Sequence, residues 1–276
     1  MKYKLFILSL LLLFVFTKVH SQKLSGEAIY QTQKHIDIKL DSSSVNNEMQ
    51  KVLQEQMRKQ FQKEYALNFN DTESLWKEVP TLGKPQAPSS SGIQIQVSGN
   101  NDVLYHNIKE ERYVSQSDLF SKIFLVADTL KKPEWKLEKE IKNIGQYKCF
   151  KATLTQEYTA SSFTTGDEES QVEKKTKVTT AWYTLDIPVQ FGPSTYWGLP
   201  GLILEINDGK TSMMCTKVVL NKGKEIEITI PSKGKKVTGE QFKTISEEKS
   251  KEMIERYQNK SSKKGENTSF SISIKS

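Results

Sequence analysis

The chain has 276 residues, a formal net charge of +7 at pH 7, 36% hydrophobic and 26% charged residues, and two cysteines. Past its first residues no apolar run approaches membrane-spanning length. The CxxC spacing of redox or zinc sites is absent, and no nucleic-acid motif accompanies the basic excess, so a partner of that class is not expected.

Lys2 and Lys4 precede an apolar run, Leu5–Phe16, broken only by Ser9, and Val19-His20-Ser21 places a small residue before Gln22. This run is too short to cross a bilayer and has the layout of a cleavable secretory signal over residues 1–21. No cysteine lies near the cut, so a lipid anchor is not expected. The mature chain is expected to be exported, periplasmic or associated with the outer membrane.

Gly26–Leu40 alternates as a strand before Asp41-Ser42-Ser43-Ser44 supplies turn and cap chemistry. Val45, Met49, Val52, Leu53, Met57, Phe61 and Tyr65 recur at spacings of three and four, which predicts a helix over 45–64. The period then drops to two at Tyr65, Leu67 and Phe69. Residues 80–92 hold three prolines and read as a surface loop. Short extended segments follow from Val103 to Ile230, joined by polar turns, the pattern of an antiparallel meander. Among them, residues 159–175 read as a long mobile hairpin loop. Thr238-Gly239-Glu240-Gln241 matches a capping box, and a second helix is predicted over 239–258. Residues 22–260 read as one domain, and 261–276 as a flexible tail with an alternating SFSISI pattern.

Cys149 and Cys215 form an even pair in an exported chain, the usual sign of a disulfide. The bridge would close a loop of about 65 residues, worth roughly 4 kcal/mol by chain entropy. Two buried reduced thiols are the alternative.

The densest local chemistry lies in Ala181–Asp208, AWYTLDIPVQFGPSTYWGLPGLILEIND. Its run Gly198-Leu199-Pro200-Gly201-Leu202-Ile203 resembles the signature of the GLPGLI family, exported proteins from Bacteroidota. Trp135, Ile144-Gly145-Gln146-Tyr147-Lys148-Cys149, Ala152-Thr153, AWYT and DIP extend the resemblance across residues 100–210. The resemblance implies export and carries no shared reaction or ligand. In backbone terms, Leu199-Pro200-Gly201-Leu202 fits a type II turn with positive φ at Gly201. Leu202, Leu204 and Ile206 would then share one strand face, and Ile203 and Glu205 the other. Trp182, Tyr183, Phe191, Tyr196 and Trp197 crowd this loop and are the candidate ligand or partner contacts, with Trp197 the candidate lip of a cavity. The competing reading is a folded plug closing one end of the sheet.

Catalytic chemistry is sparse. After the signal, His35 and His106 are the histidines that remain, and HExxH, GxSxG and phosphate-loop motifs are absent. Asp186, Glu205 and Asp208 lie nearest the signature, but each has a turn or strand explanation. No catalytic residue, metal or cofactor is expected. The expected fold is α+β: one curved antiparallel sheet, a half-barrel loosely LolA-like (as in periplasmic lipoprotein carriers), with both helices packed across it. The expected function is a non-catalytic envelope carrier for a lipid or hydrophobic peptide. The alternative is an accessory to an outer-membrane transport or export assembly, docking on an outer-membrane protein. A hydrolase ranks third.

Overall fold

The structure is a computed structural model and describes residues 24–34, 62–80, 102–162, 171–221, 226 and 228–262. The first strands are β1 Gly26–Lys34, β2 Lys63–Phe69, β3 Glu73–Glu78, β4 Val103–Asn107, β5 Arg112–Leu119 and β6 Lys122–Thr129. They are followed by β7 Lys136–Ile144, β8 Tyr147–Ser162, β9 Gln171–Thr184, β10 Leu202–Asn207, β11 Thr211–Leu220 and β12 Lys235–Val237. A helix, α1, spans Gly239–Ser262. All twelve strands join one sheet, in the order β12-β6-β5-β4-β3-β2-β1-β11-β10-β9-β8-β7. Pairing is antiparallel except between β12 and β6.

The expected α+β half-barrel with two packed helices is therefore wrong. The protein is nearly all β, its end strands β12 and β7 do not meet, and the sheet does not close into a barrel. Most successive strands pair with their chain neighbours, so sequential pairing builds most of the sheet. The helix predicted over 239–258 is present as α1. It packs at one end of the sheet, where Phe242 meets Phe124 edge-on at 5.5 Å and Ile245 joins Val126 and Val237. The helix predicted over 45–64 falls mostly outside the described residues. Its last positions, Lys63 and Glu64, already belong to β2, because the period-2 alternation begins there. Of the loop expected over 80–92 only Pro80 is among the described residues, and of the flexible tail expected over 261–276 only Ser261 and Ser262, which belong to α1 instead. Pairing of β8 with β9 continues to Ser162 and Gln171, well inside the loop expected over 159–175.

Both sheet edges are blunted. β12 has three residues. β7 carries Lys136, Glu138, Lys139, Glu140 and Lys142, and its register against β8 slips between Leu137 and Ile141. Short, charged, irregular edges resist strand addition.

The sheet is split internally. β11 follows β1 along the whole of Gly26–Lys34, with one bulge. It pairs with β10 only at Glu205–Asn207. Beyond Glu205 the two strands part, and residues 185–201 fill the opening. Ile187, Val189 and Phe191 are buried there with Ala28, Tyr30, Leu67, Phe69, Trp76, Leu202 and Leu204. The main chain ties the loop to β10: Leu202 N–H donates to Ile187 O at 2.9 Å and Ile203 N–H to Phe191 O at 3.0 Å. The buried Tyr30 hydroxyl donates to Ile203 O at 2.7 Å, joining β1 across the gap.

Two sequence expectations change here. A bulge at Leu204 interrupts the ladder with β9, since Ile203 pairs with Tyr183 and Glu205 with Trp182. Ile203 and Ile206 consequently share a core with Tyr183 and Ala181, whereas Leu202 and Leu204 belong to the Tyr30 core. Simple alternation cannot register an extra residue. The expected Cys149–Cys215 disulfide is also absent: both thiols are free. Their strands are not paired in the sheet, and although both side chains pack at the Tyr30 core, each thiol lies near a carbonyl, Tyr147 O at 3.6 Å and Lys217 O at 3.4 Å.

Candidate functional site

Apart from Trp197, the aromatic candidates divide between two cores. Phe191 has 0% exposure, Tyr183 5%, and Tyr196 and Trp197 7% each. Tyr183 and Tyr196 pack with Leu199 and Ile203 in one core, while Phe191 belongs to the other. Trp182 packs against that second core, so neighbours Trp182 and Tyr183 serve opposite sides of β9, as strand geometry requires. The Lys142 ammonium lies 4.4 Å from the Trp182 ring centroid and pairs with Glu205 at 2.6 Å.

Trp197, the expected lip residue, is pinned inside. Trp135 Nε1–H donates to its carbonyl at 2.8 Å, and His106 stacks obliquely on its ring at 6.5 Å. Tyr196 is held by Lys177, whose ammonium donates to the hydroxyl at 3.2 Å and pairs with Asp208 at 2.5 Å. The loop is a plug clamped from several strands.

The glycines show why its sequence is so constrained. The positive φ of the signature falls at Gly198, at 91°, and Gly201 is not among the positive-φ glycines. The expected type II turn is thus not the reason for Gly201. That residue lies against Thr184, where an added Cβ would sit 1.9 Å from the carbonyl oxygen. Chain crossing, rather than turn handedness, demands glycine there.

Among the described residues no catalytic constellation forms around the plug. Glu205 is occupied by Lys142. Burial pushes the Asp208 carboxyl up, but hydrogen bonds from Lys177 and the Thr211 N–H outweigh it and hold the group below the usual range. Asp186 is exposed, its N–H donating to Thr184 Oγ1 at 3.2 Å. Burial pushes the Cys149 and Cys215 thiols up to about 11 and about 12, the wrong direction for nucleophiles. His35 lies outside the described residues, and no cluster of three or more His, Cys, Asp or Glu able to hold a metal occurs among the described ones.

A different feature is open to a ligand. A groove of about 540 Å³ lies over β5 and β6, floored by Val114, Leu125 and Ala127 and walled by Ile230 and Pro231. Val114 pairs with Ala127, and Leu125 with Lys236, so the floor is one continuous patch of sheet. Val237, Thr238 and Gln241 form the opposite wall. Their position is fixed by the predicted capping box: Gln241 N–H donates to Thr238 Oγ1 at 3.2 Å, and Thr238 N–H to Gln241 Oε1 at 3.0 Å. The sequence identified β5, β6 and this cap but neither β12 nor the groove, and the strand expected over Ile226–Ile230 is not formed at the described residues 226 and 228–230. The one signal was Ile228-Thr229-Ile230-Pro231, an apolar strand end cut short by proline beside lysines.

Residues 135–205 match the family described as "Protein of unknown function (Porph_ging)", a segment that runs from Trp135 through the plug into β10. No curated protein matches the chain. Two solved structures of PNGF-II, in C2 and P21 space groups, are similar at 16% identity, with TM-scores of 0.45 and 0.44. They cover 81% and 80% of this chain, which in turn spans about a third of their length, 32% in each case. Likeness at that TM-score bears on neither activity nor ligand.

Two outcomes are expected. Gly201→Ala will destabilise the protein by at least about 3 kcal/mol in denaturant unfolding, because backbone must move to admit the methyl. Gly145→Ala, at φ 57° in the open Ile144–Tyr147 turn with nothing within 4 Å, will cost only about 1 kcal/mol. Comparable costs would refute the crossing constraint. The second concerns His106, whose pKa burial pushes down to about 4. The folded state then holds this imidazole neutral while the unfolded state protonates near pH 6.5. Its contribution is complete above that pH and lost as the pH falls towards 4, about 3 kcal/mol in all. Unfolding free energies across pH 4–7 will show this slope in the wild type and lose that share in His106→Gln.

Proposed function

We propose that this protein is a non-catalytic, exported binding protein that holds the apolar part of a hydrophobic or amphiphilic envelope ligand in the groove over β5 and β6. One observation carries the reading: an open groove with an apolar floor sits on the sheet, while the conspicuous aromatics are used up inside the fold. Its volume of about 540 Å³ falls within the roughly 300–1,000 Å³ of small-molecule sites. Export is supported by the layout of residues 1–21 and by the resemblance of Gly198–Ile203 to the GLPGLI signature, with which the Porph_ging match is compatible.

The second reading is an accessory to an outer-membrane assembly. Leu137 and Ile141, 58% and 51% exposed on the edge strand β7, favour it as a small apolar contact set among charges. The two differ in what the protein brings with it. Native mass spectrometry of the protein purified gently from its host envelope should show a reproducible added mass of lipid or peptide size. Ala127→Trp, which fills the groove from an exposed floor position without touching the buried core, should remove it. An unliganded mass recovered only with a second envelope protein would overturn the carrier reading in favour of the accessory.

A further inference from the structure

We infer that the head of the ligand in this groove is a carboxylate on a single alkyl chain, an inference that rests on the binding reading above. The groove contains no acidic residue. Its polar lining is Ser232, Lys236, Thr238 and Gln241. Thr238 Oγ1 and Gln241 Oε1 already accept the hydrogen bonds of the helix cap. What faces a ligand is therefore chiefly donor: the Gln241 amide NH₂, the Ser232 hydroxyl and the Lys236 ammonium.

Lys236 is well placed for such a role. Its cross-strand partner is Leu125, on the groove floor, and Lys236 itself lines the groove. The residue is exposed and takes part in none of the ion pairs formed among the described residues. An apolar floor beside the Lys236 ammonium, which no ion pair among the described residues engages, and beside neutral donors complements an amphiphile with an anionic head. A phosphomonoester, at about −1.5 to −2, would leave charge unmatched, and a cationic or zwitterionic head would place an ammonium against Lys236. The groove volume suits one chain rather than two.

The test is calorimetric titration of the full mature protein with dodecanoate, dodecyl phosphate and dodecyltrimethylammonium, each below its micelle concentration. Dodecanoate should bind at least tenfold more tightly than the cation. Lys236→Gln should weaken dodecanoate by about tenfold, the worth of one charged hydrogen bond, and leave the cation unchanged. Ala127→Trp should abolish binding of all three. Equal affinities for anion and cation, with Lys236→Gln silent and Ala127→Trp still blocking, would overturn the carboxylate assignment and leave the groove standing. Tighter binding of dodecyl phosphate than of dodecanoate would overturn it too. No binding to the wild type, or binding untouched by Ala127→Trp, would overturn the groove itself.

Discussion

The structure depends on how it closes the gap that opens where β10 leaves β11. A sheet of twelve strands cannot stay flat and fully paired, because strand twist accumulates across it. Here the ladder is interrupted by bulges at Leu204 and in β11 beside Tyr30 and by early loss of β10–β11 pairing. That interruption exposes backbone and apolar side chains that must find partners. Residues 185–201 supply both, through the carbonyls of Ile187 and Phe191 and the side chains of Ile187, Val189 and Phe191. Buried backbone groups left unpaired would cost about 1–3 kcal/mol each. The prolines and glycines of the signature are the chemistry of a chain forced through a narrow opening.

This gives the aromatics crowded around the loop a packing role. Trp135, Tyr196, Trp197 and His106 knit the plug to strands on either side of the gap. Lys177 and Asp208 fasten its far end. Large side chains with one polar tip suit such work, since the ring fills space and the tip answers a carbonyl or a lysine. The surface proposed for a ligand lies elsewhere, over β5 and β6 beside β12 and the cap of α1.

Much of the fold was legible in the residues. Strand alternation located most of the strands from Val103 onward, and Thr238-Gly239-Glu240-Gln241 marked the start of α1 almost to the residue. The opposed faces of Trp182 and Tyr183 followed from pleat geometry alone. The failures have physical causes. Bulges add a residue that period-2 counting cannot see, which misassigned Ile206. Strand order is a long-range property, so two cysteines in strands looked like neighbours when their strands are not paired in the sheet. The weight given to helices over an extended sheet came from the 45–64 stripe, a local pattern that says nothing about how many strands surround it. The groove was invisible because its residues, Val114, Leu125, Ala127, Ile230 and Lys236, come from three separated segments, each ordinary by itself.

The central claim is that residues 185–201 are a fixed plug on which the sheet depends, and not a mobile lip over a cavity. Native-state hydrogen exchange at the Gly198, Leu202 and Ile203 amides tests it directly, since these donate to Gln190, Ile187 and Phe191 within the plug. The account predicts that all three exchange only through global unfolding, with protection equal to the protein's full stability. Exchange through a local opening several kcal/mol easier, with the core strands still protected, would contradict it.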